Sequence, residues 1–291
     1  MSQLPHLPAL RLGRPYRSLD QFTVKDHKTG EARAEVSSVN AGIIRKDMKK
    51  LAASRAALKR FTCAQLIELS AKAGDLFLNG TLPLGDAGHT QTPQQYIETL
   101  STTSGLPWNM VRRNMDKVHF ALTNMKFVLN GLSRGLDLSI LDAGTGEQFG
   151  TKLSFFPSCQ ALGLVMPSNP PAVNSLWLPA IALKTPVVIK PGREEPWTPY
   201  RLIQAFIAAG VAWYALSRQP KTYAFQSITG GVTKKPWLAR TLPAPLQWRH
   251  VDMPVPGFAP DPSQVWQAAS VGTSISTVRP ANASSRLISR L

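Results

Sequence analysis

The apolar positions between residues 39 and 77 recur at the spacing of an α-helix. They stand three, four or seven residues apart, with most of the basic side chains beside them, as is typical of a helix with one buried face. We therefore predict one long helix over this segment. Thr62 or Ser70 is predicted to cap or bend it.

The residues before this helix, 1–37, keep no regular period. Prolines interrupt them, and Lys28-Thr29-Gly30 has the composition of a tight turn. We predict an arm with little regular structure that packs on another element, with short strands such as Gln21–Val24 and Ala32–Val36.

Two more helices are predicted before residue 130. The proline of Thr92-Pro93 suits the first position of a helix over Gln94–Leu100, which Gly105 ends. The next helix begins near Leu106-Pro107 and runs to Leu129. Its apolar residues form one stripe, made by Val111, Met115, Val118, Leu122, Met125 and Leu129.

The period changes near residue 136. Apolar and polar residues alternate in Leu136–Leu141 and again in Lys152–Phe156, and residues 142–146 have the composition of a turn. This pattern predicts a β-hairpin with a long loop within residues 136–156.

Two uninterrupted apolar runs follow, Ala161–Met166 and Pro186–Lys190. Such runs predict strands that are buried on both faces of a parallel sheet. A crossover helix is predicted between them over Pro171–Leu183, and another helix from Trp197 to a C-cap at Gly210. The order strand, helix, strand, helix over residues 161–210 predicts the beginning of a doubly wound, Rossmann-like sheet.

The fold class predicted from these patterns is α/β, with a helical amino-terminal half, a β-hairpin, a partial parallel sheet and an irregular carboxyl-terminal tail. The domains predicted are an arm at 1–37, a partial cofactor-binding domain at 38–211 and an atypical basic tail at 212–291. The second of these contains the helices of 39–130, the hairpin of 136–156 and the βαβα segment of 161–210.

The composition excludes several classes of protein. Hydrophobic residues make up 43% of the 291 residues, which is typical of a globular chain. The two cysteines, Cys63 and Cys159, cannot build a disulfide scaffold, and no cysteine or histidine cluster has the spacing of a zinc site. No apolar run approaches the roughly 18 residues of a spanning helix, and no signal peptide is visible. We expect a cytoplasmic protein without a membrane or metal partner.

The net charge of +16 is unevenly distributed. Residues 212–291 carry nine basic side chains but only two acidic ones, Asp252 and Asp261, together with nine prolines and four of the seven tryptophans. One interpretation is a natural basic tail that binds nucleic acid or an acidic partner. The other, which we favour, is translation out of frame, because the regular pattern stops abruptly after Val211. The excess of lysine and arginine between Arg45 and Lys59 gives mild support to the nucleic-acid hypothesis, although such residues more often form a solvated face.

The loops that follow the two apolar strands are the best candidates for chemistry, since ligands of a doubly wound sheet lie at the carboxyl ends of its strands. Asn169, in the first loop, offers an amide that could hold a developing oxyanion. Lys190, at the start of the second, offers a cation for ribose hydroxyls or phosphate. Taken singly, an asparagine between prolines is usually a turn residue and a lysine that ends a strand is usually solvated. The two together, one βαβ unit apart, make the functional interpretation stronger.

These residues resemble a known family. The segments Gly163–Pro171, Leu178–Leu183 and Val187–Pro191, with the helix that ends at Ala209-Gly210, resemble the cofactor domain of the aldehyde dehydrogenase superfamily, most of all its long-chain acyl-CoA reductase branch. The hairpin of 136–156 is similar in position to that family's oligomerisation hairpin.

The resemblance implies an NAD- or NADP-dependent oxidoreductase that acts on an aldehyde or acyl thioester through a cysteine thiol, and a homo-oligomer in the intact family. It further implies that Asn169 is the oxyanion-holding amide and that Lys190 binds the adenosine ribose. Pro167 and Ser168, in the same motif, are expected to line the cofactor site.

The sequence departs from the family pattern at three places. Ser168 replaces a tryptophan, and Lys184-Thr185 replaces a small Gly-Asn. Arg193 stands where the family often has a glutamate that binds the ribose hydroxyls. Because an arginine can pair with a 2′-phosphate whereas a carboxylate repels it, we hypothesise that Arg193 allows NADP to bind. A calorimetric titration in which NAD binds about tenfold more tightly than NADP, a difference of roughly 1.4 kcal/mol in binding free energy, would contradict this hypothesis.

The nucleophilic cysteine of the family lies in a domain downstream of the βαβ unit, whereas Cys63 and Cys159 both precede Lys190. Each is most simply a packing residue. The chain is therefore expected to be a truncated form that lacks the catalytic cysteine domain and is inactive by itself. We also expect an unpaired apolar edge on its sheet.

Overall fold

The structure is a computed structural model that describes residues 4–12, 14–211, 216–218 and 275–277. For Gln148 and for the last two segments it describes the backbone alone. The predicted tail of 212–291 therefore lies outside the described residues, apart from two strands of three residues each.

The amino-terminal arm forms five short strands, β1 to β5. They are His6–Leu7, Ala9–Arg11, Arg14–Tyr16, Gln21–Lys25 and Ala32–Ser37. β4 and β5 pair antiparallel across the predicted turn, where Gly30 has a φ of 74°, and β1 lies parallel to β5. The two strands predicted in this segment are confirmed.

The long helix predicted over residues 39–77 is instead three helices: α1 at Ala41–Met48, α2 at Leu51–Leu58 and α3 at Cys63–Asn79. Thr62 begins α3 with a capping box, because its side chain accepts from the backbone N–H of Gln65 and the Gln65 side chain accepts from the backbone N–H of Thr62. The prediction that Thr62 caps a helix is thus confirmed. Ser70 lies within α3, where its hydroxyl donates to the carbonyl of Leu66.

A two-stranded hairpin, β6 at Leu82–Leu84 and β7 at His89–Gln91, leads into the next helices. These are α4 at Pro93–Ser104, α5 at Trp108–Thr123 and α6 at Met125–Leu132. Gly105 ends α4 in the left-handed conformation, as predicted. All six residues of the predicted stripe are buried on α5 and α6, although a break at Asn124 divides the single helix that the pattern indicated.

The hairpin predicted at 136–156 is present, but its first strand is displaced. Residues 136–139 form no strand, α7 occupies Ile140–Ala143, and the strands are β8 at Thr145–Gln148 and β9 at Thr151–Phe155. The two-residue turn at Phe149-Gly150 has φ values of 51° and 74°, which match the right-handed twist of the strands. The prediction of a loop at 142–146 is wrong, because Gly144 caps α7 and the residues after it already pair with β9.

The main sheet has the strand order β10-β11-β12-β2-β3, with β10 at Leu162–Val165, β11 at Val187–Lys190 and β12 at Leu216–Arg218. The first three strands are parallel, and β2 pairs antiparallel with β12. The third strand therefore has neighbours on both sides, so the unpaired edge expected there is not found. A further strand, β13 at Ile275–Thr277, pairs with β9.

The crossover between β10 and β11 is a 3₁₀ helix at Pro171–Leu176 followed by a short α8 at Pro179–Ala182, where one α-helix was predicted. α9 spans Trp197–Ala209, and Gly210 caps it with a φ of 108°, as predicted. β10 is not buried on both faces, since Val165 is 38% exposed. The largest buried side chains of the core are Trp177, Trp197, Arg201, Tyr96, Phe77 and Phe206.

The fold is thus the α/β class predicted, a helical half joined to a partial Rossmann-like sheet. Within the described ranges no helix combines the length and the apolar character needed to cross a membrane.

Candidate functional site

The two loops singled out by the sequence leave the same end of neighbouring strands. β10 and β11 are parallel, with Val165 opposite Lys190. The backbone N–H of Met166 donates to the Lys190 carbonyl over 2.8 Å, so the pairing continues to the point where the loops begin. The prediction that these loops are neighbours is confirmed.

Gly192 allows the loops to touch. A Cβ atom on this residue would lie 2.5 Å from the Pro167 carbonyl oxygen and 2.7 Å from the Cα of Ser168. Atoms do not approach so closely without displacement, so residue 192 has no room for a side chain while the loops keep this contact. The hydroxyl of Ser168 also accepts from the backbone N–H of Glu194, at 3.4 Å.

The candidate side chains differ in exposure. Asn169, Pro167 and Arg193 are exposed, whereas Ser168 and Lys190 are half-buried. The Arg193 guanidinium lies 5.6 Å from the ring centre of Phe22 in the arm, a cation–π contact. Neither Lys190 nor Arg193 forms an ion pair with any residue that the structure describes.

The residues present fit part of a dinucleotide site. Lys190 is a half-buried cation at the mouth of the loops, which suits ribose hydroxyls or phosphate. At the start of α9, by contrast, a carboxylate is already present, because the buried Glu195 side chain accepts from the backbone N–H of Thr198 at 2.8 Å and from its hydroxyl at 2.5 Å. The Glu195 carboxylate would repel a ligand phosphate at this helix N-terminus, so the loops suit a phosphate better.

Arg201, a residue that the sequence pattern did not predict to be important, anchors α9 to the elements packed against it. Its guanidinium is buried and donates to three backbone carbonyls, of Phe77, Gln91 and Gly80, at 2.9, 2.9 and 2.6 Å. Burial lowers its pKa to about 10. The signal in the sequence is a single arginine among the apolar residues of the helix at 197–209.

Tyr96 forms a buried network with Arg201 and Thr198. Its hydroxyl lies 2.6 Å from that of Thr198, and its ring lies 5.5 Å below the Arg201 guanidinium carbon. Burial, followed by the nearby Glu195 charge, raises the pKa of the tyrosine well above its usual value, so the phenol stays neutral. The network therefore positions α9 and supplies no acid or base at the loops.

The two thiols lie away from the candidate site. Cys159 precedes β10 and so lies toward its amino end, opposite Asn169. Cys63 opens α3 and is 1% exposed. Burial raises the pKa of the Cys63 thiol to about 11, with the Asp142 charge as the second cause.

We expect iodoacetamide at pH 8 to alkylate one thiol quickly and the other at least tenfold more slowly. Cys159 is exposed, whereas the Cys63 thiol is buried and remains protonated at this pH. Mass spectrometry of digests taken over time would measure both rates. A Cys63 rate equal to that of Cys159 would show that α3 does not shield its first residue.

The comparisons with solved structures return aldehyde dehydrogenases. A proposed methylmalonate-semialdehyde dehydrogenase of Sinorhizobium meliloti, solved with NAD, is 16% identical over 76% of this chain and 42% of its own, with a TM-score of 0.57. Aldehyde dehydrogenase 21 of Physcomitrella patens, solved with succinate, is 18% identical over 79% of this chain and 46% of its own, with a TM-score of 0.57.

A succinate-semialdehyde dehydrogenase of Burkholderia pseudomallei is 18% identical over 75% of this chain and 43% of its own, with a TM-score of 0.56. The sequence matches no protein-family profile and no curated protein. The chain spans less than half the length of these three structures. At this level of identity the comparison shows that the chain has the fold of part of an aldehyde dehydrogenase.

Proposed function

We propose that the chain carries the cofactor-binding part of an NAD- or NADP-dependent oxidoreductase of the aldehyde dehydrogenase type. The observation that carries the proposal is the contact between the Asn169 and Lys190 loops at the carboxyl ends of two parallel strands. Solved structures of the same fold include one with NAD and one with NADP. The finer proposal, from the sequence motifs, is the acyl-CoA reductase branch with an aldehyde or acyl-thioester substrate.

Each candidate residue has a distinct part in this proposal. Lys190 donates to the adenosine ribose hydroxyls, and Pro167 and Ser168 form the wall beside it. Arg193, which is exposed and one residue past Gly192, would pair with the 2′-phosphate of NADP. The Asn169 amide would donate to the substrate oxygen as negative charge develops there.

When bound, the nicotinamide supplies a hydride acceptor or donor. The chemistry of this family also needs a thiolate beside the oxyanion amide. Within the described residues the only thiols are Cys63, which is buried and protonated, and Cys159, at the other end of β10. We therefore propose that this chain binds the cofactor without turning over an aldehyde or acyl thioester. Reduction or oxidation of the cofactor by the purified chain, with either substrate present, would contradict this proposal.

Replacing Lys190 with methionine is expected to weaken the binding of NAD and NADP by about tenfold or more. The change removes a charge-assisted hydrogen bond, whose contribution is roughly 1.5–3 kcal/mol. Isothermal titration of both dinucleotides would measure it. In the same titrations, NADP bound as tightly as NAD would support the role of Arg193.

Lys72 provides the matched control, because it is an exposed lysine on α3 away from the loops. Lys72→Met should leave both affinities within about twofold of the parent, since loss of one distant surface charge is screened. If Lys190→Met binds the dinucleotides as tightly as the parent does, Lys190 is not a cofactor ligand.

The nucleic-acid hypothesis rested partly on the tail, which lies outside the described residues. The three solved structures compared above are of dehydrogenases, so the comparison does not favour this hypothesis. Measuring DNA binding at increasing salt concentration would test the hypothesis, because binding through phosphate contacts weakens steeply as salt is added.

A further inference from the structure

A cavity with polar and apolar walls lies at the opposite end of the main sheet from the candidate cofactor loops. It has a volume of about 350 Å³ and is bounded by α2, α7, the residues after β9 and the turn before β11. Its walls include the segment from Ser154 to Cys159, which leads into β10, and Leu183–Thr185, which leads into β11. It therefore lies near the amino ends of the strands whose carboxyl ends carry Asn169 and Lys190.

The charge on the cavity wall is positive. Arg55 and Lys59, four residues apart at the end of α2, and Lys184 contribute cations, while Asp142 is the single acidic residue of the wall. Asp142 is already engaged, because it pairs with the Lys184 ammonium and accepts from the backbone N–H of Cys63 at 2.8 Å. Arg55 and Lys59 have no ion pair within the part of the chain that the structure describes.

Arg55 also has an unused donor. One terminal nitrogen of its guanidinium donates to the carbonyl of Cys159, which holds the side chain against the cavity wall. The Nε atom is buried and has no acceptor among the described residues. A buried donor without a partner is destabilising unless a bound group supplies an acceptor oxygen.

Lys184 adds a second unusual feature to this wall. Its φ is +56°, a left-handed conformation that glycine adopts freely and lysine does not. Lys184 therefore occupies a backbone conformation that glycine would adopt with less strain. Strain of this kind tends to persist where the side chain is used. Here the side chain reaches Asp142 and neutralises the one acidic group of the cavity.

We propose that this cavity binds a small phosphate-bearing molecule. The phosphate oxygens would accept from the Arg55 guanidinium and from the Lys59 ammonium, and two cations without acidic partners among the described residues match a dianion. Apolar side chains beside them, Leu141 and Phe156, would contact a short organic part of the ligand. The volume is at the small end of ligand sites, which suits a phosphate group with a few further atoms and excludes a whole dinucleotide.

The test is isothermal titration of the full chain with inorganic phosphate and with glycerol 3-phosphate. We expect the monoester to bind, and Lys59→Gln to weaken it at least tenfold. Lys59 is exposed at the end of α2, so its loss should not unfold the protein. Arg55→Gln should have an effect at least as large, and circular dichroism would establish that both variants keep the fold. A monoester that binds more tightly than inorganic phosphate would identify an organic phosphate as the ligand, and equal binding would identify the free ion.

Arg60 is the matched control, since it is the next residue after Lys59, carries the same charge and does not line the cavity. Arg60→Gln should bind the monoester within twofold of the parent. If Arg60→Gln and Lys59→Gln weaken binding equally, the anion is attracted by the net charge and the proposed site does not exist. The absence of any phosphate binding by the parent would overturn the proposal as well.

This inference is independent of the proposed cofactor function, and the variants distinguish the two. Lys190→Met should leave binding of glycerol 3-phosphate unchanged, and Lys59→Gln should leave dinucleotide binding unchanged. If Lys190→Met abolishes phosphate binding and Lys59→Gln does not, the phosphate binds at the cofactor loops and the cavity proposal is wrong.

Discussion

Replacement of Arg201 by methionine is expected to lower the free energy of unfolding by about 3 kcal/mol. The guanidinium donates to the carbonyls of Phe77 and Gly80, at the end of α3, and of Gln91, in β7. Methionine fills similar volume but leaves these carbonyls without their donors, and each buried polar group left unpaired costs roughly 1–3 kcal/mol. Relief from burying the arginine charge offsets part of that loss.

Chemical denaturation followed by circular dichroism would measure this effect. Arg112 on α5 is a suitable control because it is exposed, and Arg112→Met should change stability by no more than about 0.5 kcal/mol. An Arg201→Met variant as stable as the parent would mean that the three carbonyls find other donors, and that the buried arginine is not needed to join α9 to the helices.

The second large effect is expected at Gly192, where alanine should lower stability by about 2 kcal/mol and weaken dinucleotide binding at least tenfold. The new Cβ atom would lie 2.5 Å from the Pro167 carbonyl oxygen and 2.6 Å from the Ser168 hydroxyl. The first contact is with backbone, so the loops themselves must separate, and overpacking of this kind typically costs 1–3 kcal/mol. Separation displaces the wall that Pro167 and Ser168 are proposed to form beside Lys190.

Gly131→Ala is the matched control. A Cβ atom on this α6 residue would meet nothing within 4 Å, and alanine favours a helix over glycine by about 1 kcal/mol. It should therefore keep or raise stability and leave binding unchanged. If Gly192→Ala is as stable as the parent and binds NAD equally well, the contact between the two loops does not matter for the site.

Several elements could be predicted from local pattern because their physical cause is local. The stripe from Val111 to Leu129 is buried as its spacing indicated, and the caps at Thr62, Gly105 and Gly210 are present because they satisfy the backbone at helix ends. The two strands that bear the candidate residues were also predicted. Their parallel pairing brings the loops of Asn169 and Lys190 together.

Other features could not be predicted because the secondary structure of a short segment depends on the strands and helices that pair or pack with it. Alternation in Leu136–Leu141 indicated a strand, yet β9 pairs with β8, which follows this segment, and Ile140 packs as part of a short helix. In the same way β2, from the arm, pairs with β12 and removes the edge expected there, a contact between residues about 200 positions apart in sequence. Residues 1–37 alone give no sign of that pairing.

The α/β class, the buried faces of the helices and the candidate loops could be predicted from local signals, since helix caps, periodicity and the βαβ motif all act over a few residues. Only the folded core shows that Gly192 allows those loops to touch and that Arg201 donates to three backbone carbonyls far from it in sequence. It also assembled Arg55, Lys59 and Lys184 around one cavity. These features depend on contacts between residues far apart in the chain, and such contacts exist only once the folded core has compensated for the entropy of bringing them together.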